Sequence, residues 1–222
     1  MKSLHTITDK KNSPPYLRIK GYRLQQINIK DLPLLETVAA QFNIDSIRIE
    51  SDHQLSVSGC HSDRLEELVS HLKPILEEIE PCEVGRIYTC RAGASCKYAF
   101  ARATEIGNQI RKLKLSGPLP AHLKIAISGC KRCCTMPFVR DIGVTPVSPT
   151  HWNLIVGGNG GRNPRIGDVL EENIEERRLV SLVKQVLELY RIEADTGMRM
   201  APYIAQTGIE HLRKKISQNS PF

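Results

Sequence analysis

Five of the chain's seven cysteines fall into two tight groups, and each group follows directly on an apolar run that reads as a strand. "EVGRIYT" runs into Cys90, with Cys96 behind it as C-x5-C, and "HLKIAIS" delivers the chain to Cys130, followed by Cys133 and Cys134. Neighbouring strands lie only about 5 Å apart, so thiolates at two strand ends can converge. Four convergent thiolates suit zinc or an iron–sulfur cluster. Zinc sites favour C-x2-C knuckles, so C-x5-C argues for the cluster and leaves a zinc-stabilised binding protein a poor reading. Cys130 to Cys134 is C-x3-C, but Cys130 to Cys133 is C-x2-C and also legal, so spacing alone leaves Cys133 and Cys134 open as the fourth ligand. An odd number of cysteines in a reducing compartment disfavours structural disulfides. Cys60 and Cys82 have no close partner and read as small buried hydrophobes.

Composition narrows the partners. Net charge is +7, yet no basic block exceeds three residues and only 5% of residues are aromatic, which leaves little for base stacking. A distributed cationic interior for an anionic cofactor or substrate fits better than a nucleic-acid groove. No apolar run approaches the roughly 20 residues of a membrane helix. The start "MKSLHTITDKKNSPPYL" lacks the apolar core of a secretory signal, so a cytoplasmic location without membrane contact is expected.

Along the chain, residues 1–15 are polar, end in Pro14-Pro15 and read as a flexible lead-in. "YLRIKGYRLQQINI" reads as extended, "DLPLLETVAAQFN" as a helix with Asp31 at its N-cap, and "SIRIE" and "QLSVSG" as short strands. "SDRLEELVSHLKPIL" reads as an amphipathic helix capped by Ser62 or Asp63. This β-α-β-β-α order predicts a ferredoxin-like half-domain over residues 16–80. Residues 81–222 predict a mixed α/β domain, so the fold class is α+β. In it, Ala99, Ala103, Ile106, Ile110 and Leu113 mark a helix face that "SGPLP" ends. "DIGVTPV" and "WNLIVGG" read as strands, "GGNGGRNPRIG" as a glycine-rich loop, and Leu179, Val183, Val186, Leu187 and Tyr190 as the apolar face of a long helix before a shorter helical tail.

"CRAGASC" followed by "LPAHLKIAISGCKRCCTMPFVRDIG" and "WNLIVGGNGGRNPRIG" resembles the sirohaem- and [4Fe-4S]-containing sulfite and nitrite reductases, most of all the small assimilatory-type sulfite reductases. The resemblance runs from about Leu17 to Lys215 and is weaker in the N-terminal half. It implies that Cys90, Cys96, Cys130 and Cys134 ligate a [4Fe-4S] cluster, that Cys134 bridges to the sirohaem iron, and that Cys133 is a non-ligand neighbour. It implies six-electron reduction of sulfite to sulfide, or nitrite to ammonia, at the open face of that iron. No dinucleotide or flavin motif is visible, so electrons are expected from an external donor such as a ferredoxin. Larger relatives fuse two such units around the cofactor, and a single-unit chain can reproduce that arrangement as a homodimer.

By motif position the resemblance places Arg86, His122, Lys124 and Arg18 as cations for the inorganic oxyanion, with His122 standing where the family has lysine. A histidine there is expected to donate a proton near neutral pH. The cofactor's carboxylates need compensation if the ring is enclosed, and Arg48 matches a position that binds them. Asn159, Arg162 and Arg165 of the glycine-rich loop are further candidates. Two departures stand out. Glu50-Ser51-Asp52-His53 replaces a Thr-Thr-Arg-Gln type run, and Arg91 and Lys131-Arg132 replace proline and small polar residues inside the cysteine pairs. Cations there favour the reduced cluster or form a docking face for an acidic donor. The lost arginine supports a rival reading, a non-catalytic sirohaem/[4Fe-4S] electron-transfer module.

Overall fold

A computed structural model describes residues 6–7, 16–24, 26–50, 53–79, 82–90, 92 and 96–218. The chain divides into two compact units, Met1–Pro81 and Cys82–Phe222. No helix among the described residues is long and apolar enough to cross a membrane.

The first unit runs β1 (Thr6–Ile7), β2 (Tyr16–Arg18), β3 (Tyr22–Arg23), α1 (Leu32–Phe42), β4 (Ser46–Ile49), β5 (Leu55–Ser58), α2 (Leu65–Leu72) and β6 (Glu77–Glu78). β1, β2, β5 and β4 form an antiparallel sheet in that order, and β3 pairs with β6. Alternation sends Leu17, Leu55 and Val57 into a core with Val38, Phe42, Leu68 and Leu72 of the two helices. Part of the lead-in is thus a strand, since Thr6 and Ile7 pair with Leu17 and Tyr16. The extended segment breaks at Gly21, whose φ of 81° makes the turn into β3. Asp31 precedes α1 but does not cap it. Its carboxylate accepts from the backbone and side-chain nitrogens of Asn28 and closes a 3-10 turn over Ile29–Asp31. Ser62 and Asp63 likewise sit inside a 3-10 turn that leads into α2 and cap nothing.

The second unit runs β7 (Arg86–Thr89), α3 (Ala103–Arg111), β8 (Lys124–Ile127), β9 (Ile142–Pro146), β10 (His151–Val156), β11 (Asp168–Glu175), α4 (Glu176–Glu193), α5 (Met200–Thr207) and α6 (Ile209–Gln218). Its mixed five-stranded sheet has the order β11-β10-β9-β8-β7, parallel across β7, β8 and β9 and antiparallel from β9 to β11. One face meets the helices: Ile125, Ile127, Ile142, Val144, Trp152, Leu154 and Val156 pack with Ile106, Ile110, Leu179, Val183, Val186, Leu187 and Tyr190. On the opposite face lie Arg86, Tyr88, Lys124 and Ala126, paired in register across β7 and β8.

A parallel connection must carry the chain from the end of one strand back to the start of the next. Between β8 and β9 only residues 128–141 do so, with a 3-10 turn at Pro137–Val139 instead of a full crossover helix. That turn lies against the sheet so closely that a Cβ on Gly143 would stand 2.2 Å from the Pro137 carbonyl oxygen, which requires glycine there. This turn of the connection therefore lies on the face away from the helices.

Candidate metal centre and anion-binding face

Cys90 and Cys130 follow the ends of two parallel neighbours, the arrangement that the spacing predicts. The amide of Cys90 donates to the Ile127 carbonyl at 3.2 Å and continues the β7–β8 ladder past its last pair. In return the amide of Gly129 donates to Cys90 Sγ at 3.1 Å. A backbone N–H aimed at sulfur favours the thiolate, the form that binds metal. The loop that follows Cys96 is tied to the second cysteine group, because Phe100 and Ala101 both donate to the Gly129 carbonyl, at 3.1 and 3.2 Å. Arg132, inside the second cysteine group, stacks its guanidinium 3.6 Å from the Tyr98 ring, two residues after Cys96. This contact joins the two cysteine loops while Arg132 stays exposed.

Cys130 is buried, Cys90 and Cys133 are half-buried, and Cys96 and Cys134 are exposed. Burial, and then the nearby sulfurs of Cys130, Cys134 and Cys90, push the Cys133 thiol above its ordinary pKa. Cys133 and Met136 both adopt left-handed backbone, with φ of 52° and 55°. For non-glycine residues this conformation is strained, and such strain concentrates at functional sites. The turn is held by the amide of Met136 on the Cys133 carbonyl at 2.8 Å and by Ser128 and Thr135 hydroxyls 2.7 Å apart. Cys134, on the same turn, is exposed. Among the described residues no three of these groups are drawn in to metal-binding distance, and residues 91 and 93–95, which link Cys90 to Cys96, lie outside them. The donor set still fits a cluster: soft thiolates, a buried member, and N–H support at sulfur. Cys60 and Cys82 are half-buried against the cores of their own units, and burial raises both thiols, as expected of packing residues.

Arg86 and Lys124 are register partners, and His122 senses the charges of both, so three of the four predicted substrate cations gather at one place. They sit at the starts of β7 and β8, about 13 Å of strand from Cys90 at roughly 3.3 Å per residue. Two residues that the sequence reading missed complete this end. Asp141, 1% exposed, accepts from the Lys124 amide at 2.8 Å and from Arg199 Nε at 3.1 Å. Their pairing joins the start of β9 to the residue before α5, far apart in sequence, and leaves no trace in a local pattern. Partial desolvation, then the charges of Arg86 and Arg199, lower the His122 pKa below 6.5. His122 therefore gives up its proton more readily than an ordinary histidine. The unfolded state then binds the extra proton more readily than the folded one. Stability is expected to fall as pH drops through the ordinary histidine range near 6.5, and urea midpoints of His122→Gln measured across that range should lose part of the slope.

Arg18 and Arg48 lie in the first unit, both in register with Ser56 across β2, β5 and β4, and so share one polar face of that sheet. Arg18 donates to Gln54 at 2.8 Å, and Arg48 stacks 3.9 Å from the Tyr16 ring centre. Glu50, the acid that begins the departure run, accepts from the Ser56 hydroxyl at 2.7 Å and adds a negative charge to this face. Ser51, Asp52 and Arg91 lie outside the described residues. In the glycine-rich loop, Asn159 and Arg165 hold the loop itself. Their backbones exchange two hydrogen bonds of 2.8 Å, Asn159 Nδ2 donates to the Asn163 carbonyl, and Arg165 reaches the Gly157 carbonyl and Asp168. Arg162 is exposed and, among the described residues, makes no ion pair.

Three thiols on a strained strand-end turn, a fourth at the neighbouring strand end and cations at the other end of the same two strands make this a candidate thiolate metal centre. Residues 84–222 match the family described as "Nitrite and sulphite reductase 4Fe-4S domain". The chain belongs to that family. An assimilatory-type sulfite reductase of Nitratidesulfovibrio vulgaris (strain Hildenborough) is 30% identical over 186 residues, covering 83% of this chain and 84% of the relative. The large subunit of the NADH nitrite reductase of Escherichia coli K12 is 27% identical over 202 residues, 86% of this chain but 23% of that longer protein. Among solved structures, dissimilatory sulfite reductase I aligns with a TM-score of 0.68 at 10% identity over 94% of this chain and 70% of its own. The Mycobacterium tuberculosis NirA protein aligns at 0.65 and 17% identity, over 91% and 40%. Both show the α+β fold.

Proposed function

We propose that the chain is a sirohaem- and [4Fe-4S]-dependent reductase that converts sulfite to sulfide in a six-electron reaction, with nitrite as a second substrate for the same cations. The observation that carries the reading is the pairing of Cys90 and Cys130 at adjacent parallel strand ends, with Cys134 exposed on the strained turn beside them. In this reading Cys90, Cys96, Cys130 and Cys134 would hold the cluster, Cys134 would also serve the sirohaem, and Cys133 would stay a thiol. When bound, the two groups would supply the electron store and the iron at which the oxyanion is reduced.

The chain's own residues supply binding and proton handling. Lys124 and Arg86 attract the oxyanion by charge-assisted hydrogen bonds. His122, whose neighbours lower its pKa, passes protons between solvent and that end of the face. Arg48 and Arg162 are proposed for cofactor carboxylates and Arg18 for the oxyanion, while Asn159 and Arg165 act by shaping the loop. Cations at Lys97, Lys131 and Arg132, all exposed, surround the cysteine loops and suit an acidic donor such as a ferredoxin in the cytoplasm. A homodimer is the proposed assembly.

Reduced methyl viologen with sulfite, and separately nitrite, tests the reading in anaerobically purified protein. Sulfide production is expected. Lys124→Ala is expected to lower kcat/KM about 10- to 100-fold, the worth of a hydrogen bond to a charged group, with the Soret and red bands of the sirohaem retained. Bound cofactors without turnover on either oxyanion would point instead to the electron-transfer module, which the acidic Glu50 on the Arg18–Arg48 face favours.

A further inference from the structure

Arg140 stands near the end of the connection that carries Cys130 to Cys134, two residues before β9. Its guanidinium lies over the Tyr88 ring, 5.3 Å from the centre. Its Nε is buried and has no hydrogen-bond partner. The carboxylate next to it in sequence is not available, because Asp141 is occupied by Arg199 and the Lys124 amide. Among the described residues Arg140 forms no ion pair. The backbone leaves it little room to withdraw: a Cβ on Gly158 would stand 2.6 Å from the Arg140 carbonyl oxygen and 2.8 Å from its nitrogen.

A half-buried guanidinium with an unpaired donor is costly unless something compensates it. The aromatic face of Tyr88 offers only part of that compensation, and a water molecule would satisfy the Nε without neutralising the charge. Tyr88 lies between Arg86 and Cys90 on β7, so Arg140 fills the stretch of face between the substrate cations and the thiols. We infer that Arg140 is an anion anchor, a planar fork that takes a carboxylate or oxyanion group in the bidentate manner that guanidinium favours. Two sources offer this chemistry at this place: a side-chain carboxylate of the sirohaem, and the inorganic oxyanion itself. The inference rests on the proposed sirohaem site only for the first source.

Arg140→Gln removes the charge and Arg140→Lys keeps the charge but loses the fork. Both are compared with wild type in sirohaem uptake followed by absorption, in the sulfite-induced change of the haem spectrum, and in the rise of melting temperature with added sulfite or sulfate. If a cofactor carboxylate is the ligand, Arg140→Gln weakens sirohaem binding about 10- to 100-fold and leaves sulfite affinity of the loaded fraction unchanged. If the oxyanion is the ligand, sirohaem content is unchanged and the sulfite dissociation constant rises by the same factor. Arg140→Lys falls between wild type and Gln in either case. A wild-type chain that takes up no sirohaem overturns the proposed function, and the anion-dependent melting shift, lost in Arg140→Gln, still reports on the anchor. A lower melting temperature with every anion response intact makes Arg140 a packing residue on Tyr88 and overturns the inference.

Discussion

Cys130→Ser is expected to strip the protein of its iron while leaving the second unit folded. Cys130 is 7% exposed, at the end of a strand whose residues Ile125, Ala126 and Ile127 are fully buried, so the strand persists without the sulfur. Serine is close in size, and its hydroxyl is a hard, poorly ionised ligand where the cluster needs a soft thiolate. Loss of a direct ligand should exceed the roughly 10- to 100-fold loss of metal affinity that removal of a supporting outer partner brings. Iron and acid-labile sulfide per chain should approach background, and the visible absorption should go with them. Cys133→Ala is the paired control, since its raised thiol sits among the ligand sulfurs without being one of them in this account. It should keep its iron. If Cys133→Ala empties the site and Cys134→Ala does not, the ligand set is wrong.

Gly129→Ala should do nearly as much damage without touching a sulfur. A Cβ at this position would lie 2.3 Å from the Ala92 Cβ and 2.6 Å from the Ala101 carbonyl oxygen. The second neighbour is backbone and cannot swing aside. Residue 129 also gives the amide that Cys90 Sγ accepts and the carbonyl that receives Phe100 and Ala101. Making room therefore moves the Cys96 loop, the Cys90 sulfur or Cys130 itself. Overpacking of this kind costs about 1–3 kcal/mol of stability, but the greater effect falls on the metal, because ligand placement is shared among all these contacts. Iron content should drop severalfold with only a modest fall in melting temperature. Full iron occupancy in Gly129→Ala would mean that the loops do not meet at residue 129.

The parts of the molecule that the sequence announces are those whose signal is local. Strands β7 and β8 are legible because each alternates or runs apolar into a cysteine, and α4 because Leu179, Val183, Val186, Leu187 and Tyr190 keep one face. β11 falls between the glycine-rich loop and the long helix, where the sequence assigns no element. Its sequence DVLEENIE is dominated by polar residues because it is the outer strand of the sheet, with a neighbour on one side only. β6 is two glutamates, and only its pairing with Tyr22 and Arg23 makes it a strand. At the candidate site, the cysteine groups stand out by their spacing, and Arg86 and Lys124 are proposed from the motif. Asp141 with Arg199 could not, nor could the orphaned Nε of Arg140, since each depends on which distant group happens to be near. The same holds for Arg165: a lone arginine in a glycine loop reads as a ligand-binding cation, yet its guanidinium is spent on Gly157 and Asp168.

Iron and acid-labile sulfide, measured per chain together with the absorption spectrum of anaerobically purified protein, test the central claim most directly. The account predicts cluster iron and sulfide in equal amounts, one further iron, and the Soret and red bands of a sirohaem. Colourless protein that stays free of iron and sulfide after reconstitution with both cofactors would contradict it.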